Sequence, residues 1–293
     1  MKKIFLLGLL LVCLGIVVAC EGQSDEIASV DIDPLRVISL GPAVTEILVE
    51  LGHVGALVAI DEHAADIPGL PEGLPLLSLM PVDAEQLMAL APDLVFAAGI
   101  VRVEGDDPLA IIAEAGIQIV DVPYSACIDE IFGDIRLIAE TMGTVRAGEE
   151  LISGMEAEIA EIREIAATIS ARRVVYFEIS SAPWMFTTGS GTFLHEMIEL
   201  VGAVNVFANE SSWMPVADEV ILAANPDVIL TNVSYLDDPI AEIASRPGWS
   251  EAMDAVQSGN VFMIPTNASS RPSHNILAAI WAIGEAVYPE YFN

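Results

Sequence analysis

Beyond its third residue the chain contains no lysine. Its other basic side chains are nine arginines against 43 acidic residues, so the part beyond Lys2 and Lys3 carries a net charge near −34. Such a surface repels phosphate backbones, and no basic patch offsets it; Arg172-Arg173 is an isolated pair before an apolar strand. Nucleic acid is therefore excluded as a partner, adhesion to anionic lipid faces is disfavoured, and salt tolerance is expected. Cysteine is scarce as well. Cys13 and Cys20 lie near the N-terminus, which leaves only Cys127 in the body of the chain and no intramolecular disulfide to hold it. There is no CxxC or HExxH, and a zinc-dependent hydrolase has no support. Ser190 sits in Gly189-Ser190-Gly191 rather than a Gly-x-Ser-x-Gly elbow, and His195-Glu196 fits a helix following Thr192. An enzyme is not expected.

What is present begins with a leader. Met1-Lys2-Lys3 is followed by an uncharged run from Ile4 to Ala19, the pattern of a secretory signal peptide at 1–19 and too short for an ordinary spanning helix. The run ends at Cys20 behind Gly15-Ile16-Val17-Val18-Ala19, which resembles the bacterial lipobox. That resemblance implies acylation of Cys20 and an extracytoplasmic protein anchored to the cell membrane, since each buried CH₂ contributes about 0.8 kcal/mol. Residues 20–34 are polar and acidic and read as the lipidated tether, with folding starting near Leu35.

The body alternates short apolar strands with amphipathic helices, the pattern of a parallel sheet covered on both faces. In 35–144 the expected strands are Arg36–Leu40, Ala56–Ile60, Leu94–Ala97 and Ile117–Val120, with helices at Val44–Leu51, Ala84–Leu90 and Pro108–Ala115. In 171–293 they are Val174–Phe177, Val228–Leu230 and Val261–Ile264, with helices at Thr192–Val201, Asp218–Ala224 and Ile276–Tyr288. Glu85 to Val95 parallels Glu219 to Ile229: an acid opens a helix, Pro-Asp breaks it, and a strand follows. Between the halves, in 145–170, Leu151, Met155, Ile159, Ile162, Ile165 and Ile169 recur at helical spacing. A single long helix running to about Ser170 would span both lobes. The fold class is α/β: two Rossmann-like lobes, each with a mostly parallel central sheet, joined by this helix.

With these segments in view, the chain resembles the substrate-binding lipoproteins of bacterial ABC importers for iron-siderophores, haem and cobalamin. The resemblance runs from about Leu35 to Tyr288 and is strongest at Arg36–Leu48, Leu87–Val95, Thr188–Phe193, Gly202–Phe207, Pro226–Ile229 and Arg246-Pro247-Gly248-Trp249. It implies a monomeric, non-catalytic protein without a cofactor of its own. The protein would capture a solute between its lobes and deliver it to a permease with its ATPase. It also implies one acid per lobe that docks on permease arginines, here Glu85 and Glu219; the plain alternative is first-turn acids favoured by the helix dipole. Ligand contacts are expected at strand ends and the loops after them: Ser39, Pro42, Phe96, Tyr124, Trp184, Trp213, Asn267, Arg271 and His274. Relatives commonly place a second arginine where this chain has Asn275, which weakens any clamp for an acidic ligand. A corrinoid suits that balance best; an iron chelate such as a siderophore, haem or a bare metal ion is the alternative. His63 and His274 are weak candidates to approach a ligand metal.

Overall fold

The computed structural model describes residues 35–99 and 107–292. The export signal, Cys20 and the tether lie outside those residues. The first lobe has strands β1 (Val37–Leu40), β2 (Leu57–Asp61), β3 (Leu76–Leu77), β4 (Leu94–Ala98) and β5 (Gln118–Val122), with helices α1 (Pro42–Glu50), α2 (Ala84–Ala89), α3 (Ala110–Glu114) and α4 (Ile128–Thr141). Its sheet is wholly parallel in the order β3-β2-β1-β4-β5. Helix α5 (Val145–Ala166) leads to the second lobe. There the strands are β6 (Val174–Glu178), β7 (Phe186–Thr188), β8 (Val204–Asn205), β9 (Trp213–Pro215), β10 (Val228–Thr231) and β11 (Val261–Met263). The helices are α6 (Phe193–Leu200), α7 (Asp218–Ala224), α8 (Pro239–Ser245), α9 (Trp249–Ala252), α10 (Asp254–Gln257), α11 (Thr266–Ser270) and α12 (Ile276–Val287). Strands β11-β10-β6-β8 form a second parallel sheet, and β7 and β9 pair as a small antiparallel ribbon.

Strand alternation sorts the core into layers. Val37, Leu94, Phe96, Val175, Phe177 and Leu230 face inward and share one continuous core with α1, α4, α5, α6 and α12. Ile38, Leu40 and Val95 face the outer side of the first lobe, while Tyr176 and Ile229 face the outer side of the second. The sheets are thus separated by a common helical layer rather than by one rod. Helix α5 packs on α4 along one flank and on α6 and α12 along the other. Gly148 permits the first approach, because a Cβ there would lie 2.6 Å from the Ala139 Cβ.

Two expectations need correction. Helix α4 was not anticipated, although Ile128, Ile131, Phe132, Ile135 and Ile138 form its buried stripe. The long helix stops at Ala166 instead of reaching Ser170. Beyond it the Thr168 hydroxyl donates to the Ile165 carbonyl, a local bond that competes with further helix. Among the described residues no helix is long and apolar enough to cross a membrane.

The internal repeat has a geometric cause. Ala91 and Asn225 both adopt left-handed backbone, with φ of 44° and 41°, immediately before Pro92 and Pro226. The following aspartates then do the same work twice. Asp93 accepts from the Arg36 amide and donates its own amide to the Arg36 carbonyl; Asp227 makes the same pair of bonds with Val174. Each Pro-Asp turn clips the entry of its lobe's central strand, which is why the motif recurs.

Candidate functional site at the lobe junction

The C-terminal ends of both sheets converge on the junction between lobes. Leaving β1, Gly41 passes so close to β4 that a Cβ would lie 2.7 Å from the Ala98 Cβ, and Pro42 opens α1. Leaving β5, the chain presents Tyr124, which is half exposed. From the other lobe the indole Nε1 of Trp213 donates to the Tyr124 hydroxyl, and Phe193 meets the Trp213 ring edge-on at 5.6 Å. Burial raises the Tyr124 pKa, partly offset by that hydrogen bond. Two recesses share Tyr124. One, of about 240 Å³, is walled by Ile179, Phe193, Leu194 and Trp213 with Asn232 and Ser269 beside them. The other, of about 160 Å³, is walled by Pro42, Val44, Ile47, Ala98 and Val122, with Asp134 and Arg271 at its edge. Flat apolar walls with few polar groups are the makings of a small-molecule site.

A polar staple crosses the same junction. The Arg271 guanidinium donates to Glu46 Oε1 at 2.9 Å, to Asp66 Oδ1 at 2.8 Å and to the His63 carbonyl at 2.7 Å. Glu46 also accepts from the Ser273 hydroxyl, and Asn267 donates to Asp66 at 2.6 Å. Partial burial pushes the Asp66 pKa up, but the hydrogen bonds from Arg271 and Asn267 outweigh it and hold it below the ordinary range. On the far side, Glu196 of α6 accepts from the Ile128 amide and so caps α4 across the lobes.

The residues expected at the site divide accordingly. Pro42, Tyr124 and Trp213 line the recesses. Ser39 and Phe96 do not: both are fully buried, Ser39 bonded to the Thr45 hydroxyl and Phe96 packed in the shared core. They belong to inner strands of a sheet covered on both faces, where only residues beyond the strand end can reach a ligand. Arg271 and Asn267 face the junction but are spent on lobe–lobe bonds. Trp184 is 79% exposed and lines neither recess. The His274 Nε2 lies 3.6 Å from Glu50, its Nδ1 is buried without a partner, and burial lowers its pKa. The His63 ring is on the surface. Among the described residues no three His, Cys, Asp or Glu side chains are grouped to hold a metal ion.

Other groups weighed for chemistry are occupied. Ser190 Oγ donates to the Glu210 carbonyl, His195 Nδ1 pairs with the Asn205 amide at 3.2 Å, and Glu196 is the helix cap. Sequence reasoning missed Asp134, Glu46 and Asp66. Only the helical stripe of α4 could have pointed to the first. Glu85 and Glu219 are both exposed and hold the same position, second residue of α2 and of α7, each helix leading into its Pro-Asp turn. A larger depression of about 470 Å³ among Arg172, Arg173, Asp227 and Tyr288 lies at the opposite edge of the second lobe, where β6 and β10 begin.

The periplasmic binding protein family model matches residues 37–268. The chain belongs to that family. It is therefore an extracytoplasmic solute-binding protein of transport rather than an enzyme. An uncharacterized ABC transporter substrate-binding lipoprotein of Bacillus subtilis is 28% identical over 277 residues, spanning 94% of this chain and 87% of that one. A cobalamin-binding protein of Halobacterium salinarum is 26% identical over 273 residues, covering 90% of this chain and 72% of its own. Among solved structures, a periplasmic haem-binding protein of Roseiflexus superposes with a TM-score of 0.79 at 25% identity, over 89% of this chain and 100% of that one.

Proposed function

We propose that this protein captures a metal-bearing macrocycle or chelate at the lobe junction, foremost a corrinoid such as cobalamin, and hands it to an ABC permease. The observation that carries the ligand class is the state of Arg271. Among the described residues it is the only arginine lining the two Tyr124 recesses, and Glu46 and Asp66 already neutralise it. A haem with two propionates, or a strongly anionic catecholate chelate, would find no free cation there among the described residues. A corrinoid carries amides around its ring and needs apolar walls and scattered hydrogen bonds, which Tyr124, Trp213, Phe193 and Asn232 offer. The cobalamin-binding relative supports this reading; the haem-binding structural neighbour supports haem as the second.

Glu85 and Glu219 would seat the two lobes on permease arginines, because equivalent carboxylates on a pseudo-repeated body match a two-fold receptor. Acylated Cys20 would hold the monomer at the membrane.

The deciding experiment titrates the purified protein with cyanocobalamin, cobinamide, haem and a ferric siderophore, following tryptophan fluorescence and retained visible absorbance after gel filtration. Corrinoid binding with quenching that Trp213→Ala abolishes is expected. Retention of haem or siderophore alone would replace the corrinoid reading. Changing Glu85 and Glu219 together to alanine should abolish uptake in cells while leaving ligand affinity within about twofold, since neither side chain is at the recesses.

A further inference from the structure

Asp134 is a charged group at the junction that takes no part in the lobe–lobe bonds. It projects from α4 into the smaller recess and is 6% exposed. The Ser125 hydroxyl donates to its Oδ2. Its Oδ1 has no hydrogen-bond partner among the described residues, yet it is not one of the sealed, unpartnered atoms, which are Asp61 Oδ2 and His274 Nδ1. The walls around it are Pro42, Val44, Ile47, Ala98, Val122 and Pro123, all apolar. A carboxylate in such a setting with one hydrogen bond is costly to keep as a structural element. Burial, with a smaller contribution from Glu130 one turn away, outweighs the Ser125 bond and pushes its pKa up to about 6. Arg271, the one basic side chain among the described residues lining this recess, is already shared between Glu46 and Asp66.

An unused acceptor at the edge of an apolar recess calls for a ligand group that is compact, uncharged and rich in N–H. We propose that Asp134 sets the specificity of this recess: its free oxygen accepts an N–H from a primary-amide arm of the bound macrocycle and turns away a carboxylate arm. The inference rests on the corrinoid reading above, since a corrinoid carries amide arms where haem carries propionates. Asp134 selects between arms; the aromatic walls bind the ring.

The test compares cyanocobalamin with its separated monocarboxylic acids, in each of which one peripheral amide has been hydrolysed. Binding is followed by fluorescence quenching, with melting curves confirming that each variant folds. Wild-type protein should bind at least one acid isomer about tenfold or more weakly than the parent. Asp134→Asn can both accept from an amide and donate to a carboxylate, so it should bring that isomer within about threefold of the parent. A second variant leaves Asp134 in place: Ala43→Leu, on the half-buried first turn of α1, fills the recess and should weaken the parent and the acids alike by about tenfold. Equal binding of parent and all acids by wild type, unchanged discrimination in Asp134→Asn, or full affinity in Ala43→Leu would each overturn the assignment while leaving corrinoid capture standing. Failure of wild type to bind any corrinoid would overturn both.

Discussion

Two buried arginines serve the two regions of the molecule differently. Arg246 lies inside the second lobe, gripping Glu178 through both terminal nitrogens at 2.6 and 2.8 Å and reaching Glu242 at 2.6 Å. Its guanidinium stacks 4.6 Å from the Trp249 ring, and the Ser181 hydroxyl is in reach. Every partner belongs to one lobe, and Glu178 is wholly buried. Arg271 uses the same chemistry across the junction, but its partner Asp66 is 58% exposed. The difference teaches that a buried ion pair can lock a lobe from within or fasten two lobes together. Which it does depends on where the carboxylates sit and how readily water can replace the arginine.

The comparison can be broken most severely at Arg246. Replacing it with alanine leaves the buried Glu178 carboxylate only the long bond from the Tyr176 hydroxyl and should cost about 3–5 kcal/mol in denaturant melts. Arg271→Ala should cost somewhat less, about 3 kcal/mol, because Asp66 can rehydrate while the buried Glu46 keeps only its Ser273 bond. Its distinctive signature is faster hydrogen exchange at α1 and α11 with little change at β6 and β10; uniform loosening would erase the distinction. The smallest effect concerns acid. Partial burial of Asp66 and Glu242 raises their pKa values, but bonds from Arg271 and Asn267 to the first, and from Arg246 and Ser181 to the second, outweigh it. Carboxylates held low in the folded state contribute stability that is complete above their unfolded values and lost as pH falls through the lower folded ones. The Arg271–Asp66 and Arg246–Glu242 pairs should therefore persist through pH 5 and weaken only below about pH 4, near and under the ordinary carboxylate range, whereas burial raises the Glu178 pKa and that carboxyl takes up its proton sooner. Melting temperatures measured from pH 7 to pH 3 test this, and Arg271→Ala should lose the Asp66 part of the acid slope.

Much of the fold was legible because it is encoded over short distances. Helix α7 spans the expected residues Asp218–Ala224, and β4, β6 and β10 differ from expectation only by a residue at one end. The Pro-Asp repeat was visible before its purpose, which is to clip the central strand of each lobe. The missed helix α4 shows how a regular stripe is overlooked when no strand or repeat flags it. The site was less legible. Tyr124 and Trp213 were expected there on chemical grounds and meet across the junction, whereas Ser39 and Phe96 lie two positions short of the recess-lining Gly41 and Ala98, inside strands whose two faces are both covered.

The sequence by itself determined the alternation of strands and helices, the paired turns, the acid excess and the lack of any catalytic or metal-binding pattern, since each depends on residue type and near-neighbour spacing. Only the tertiary structure decided what Arg271 does, because Glu46, Asp66 and the His63 carbonyl lie 225, 205 and 208 residues away in the chain. The same holds for Asp134. Its charge could be read from the sequence, but its confinement in an apolar recess arises only where α4 packs behind α1 and the strand ends, and burial is a property of that packing.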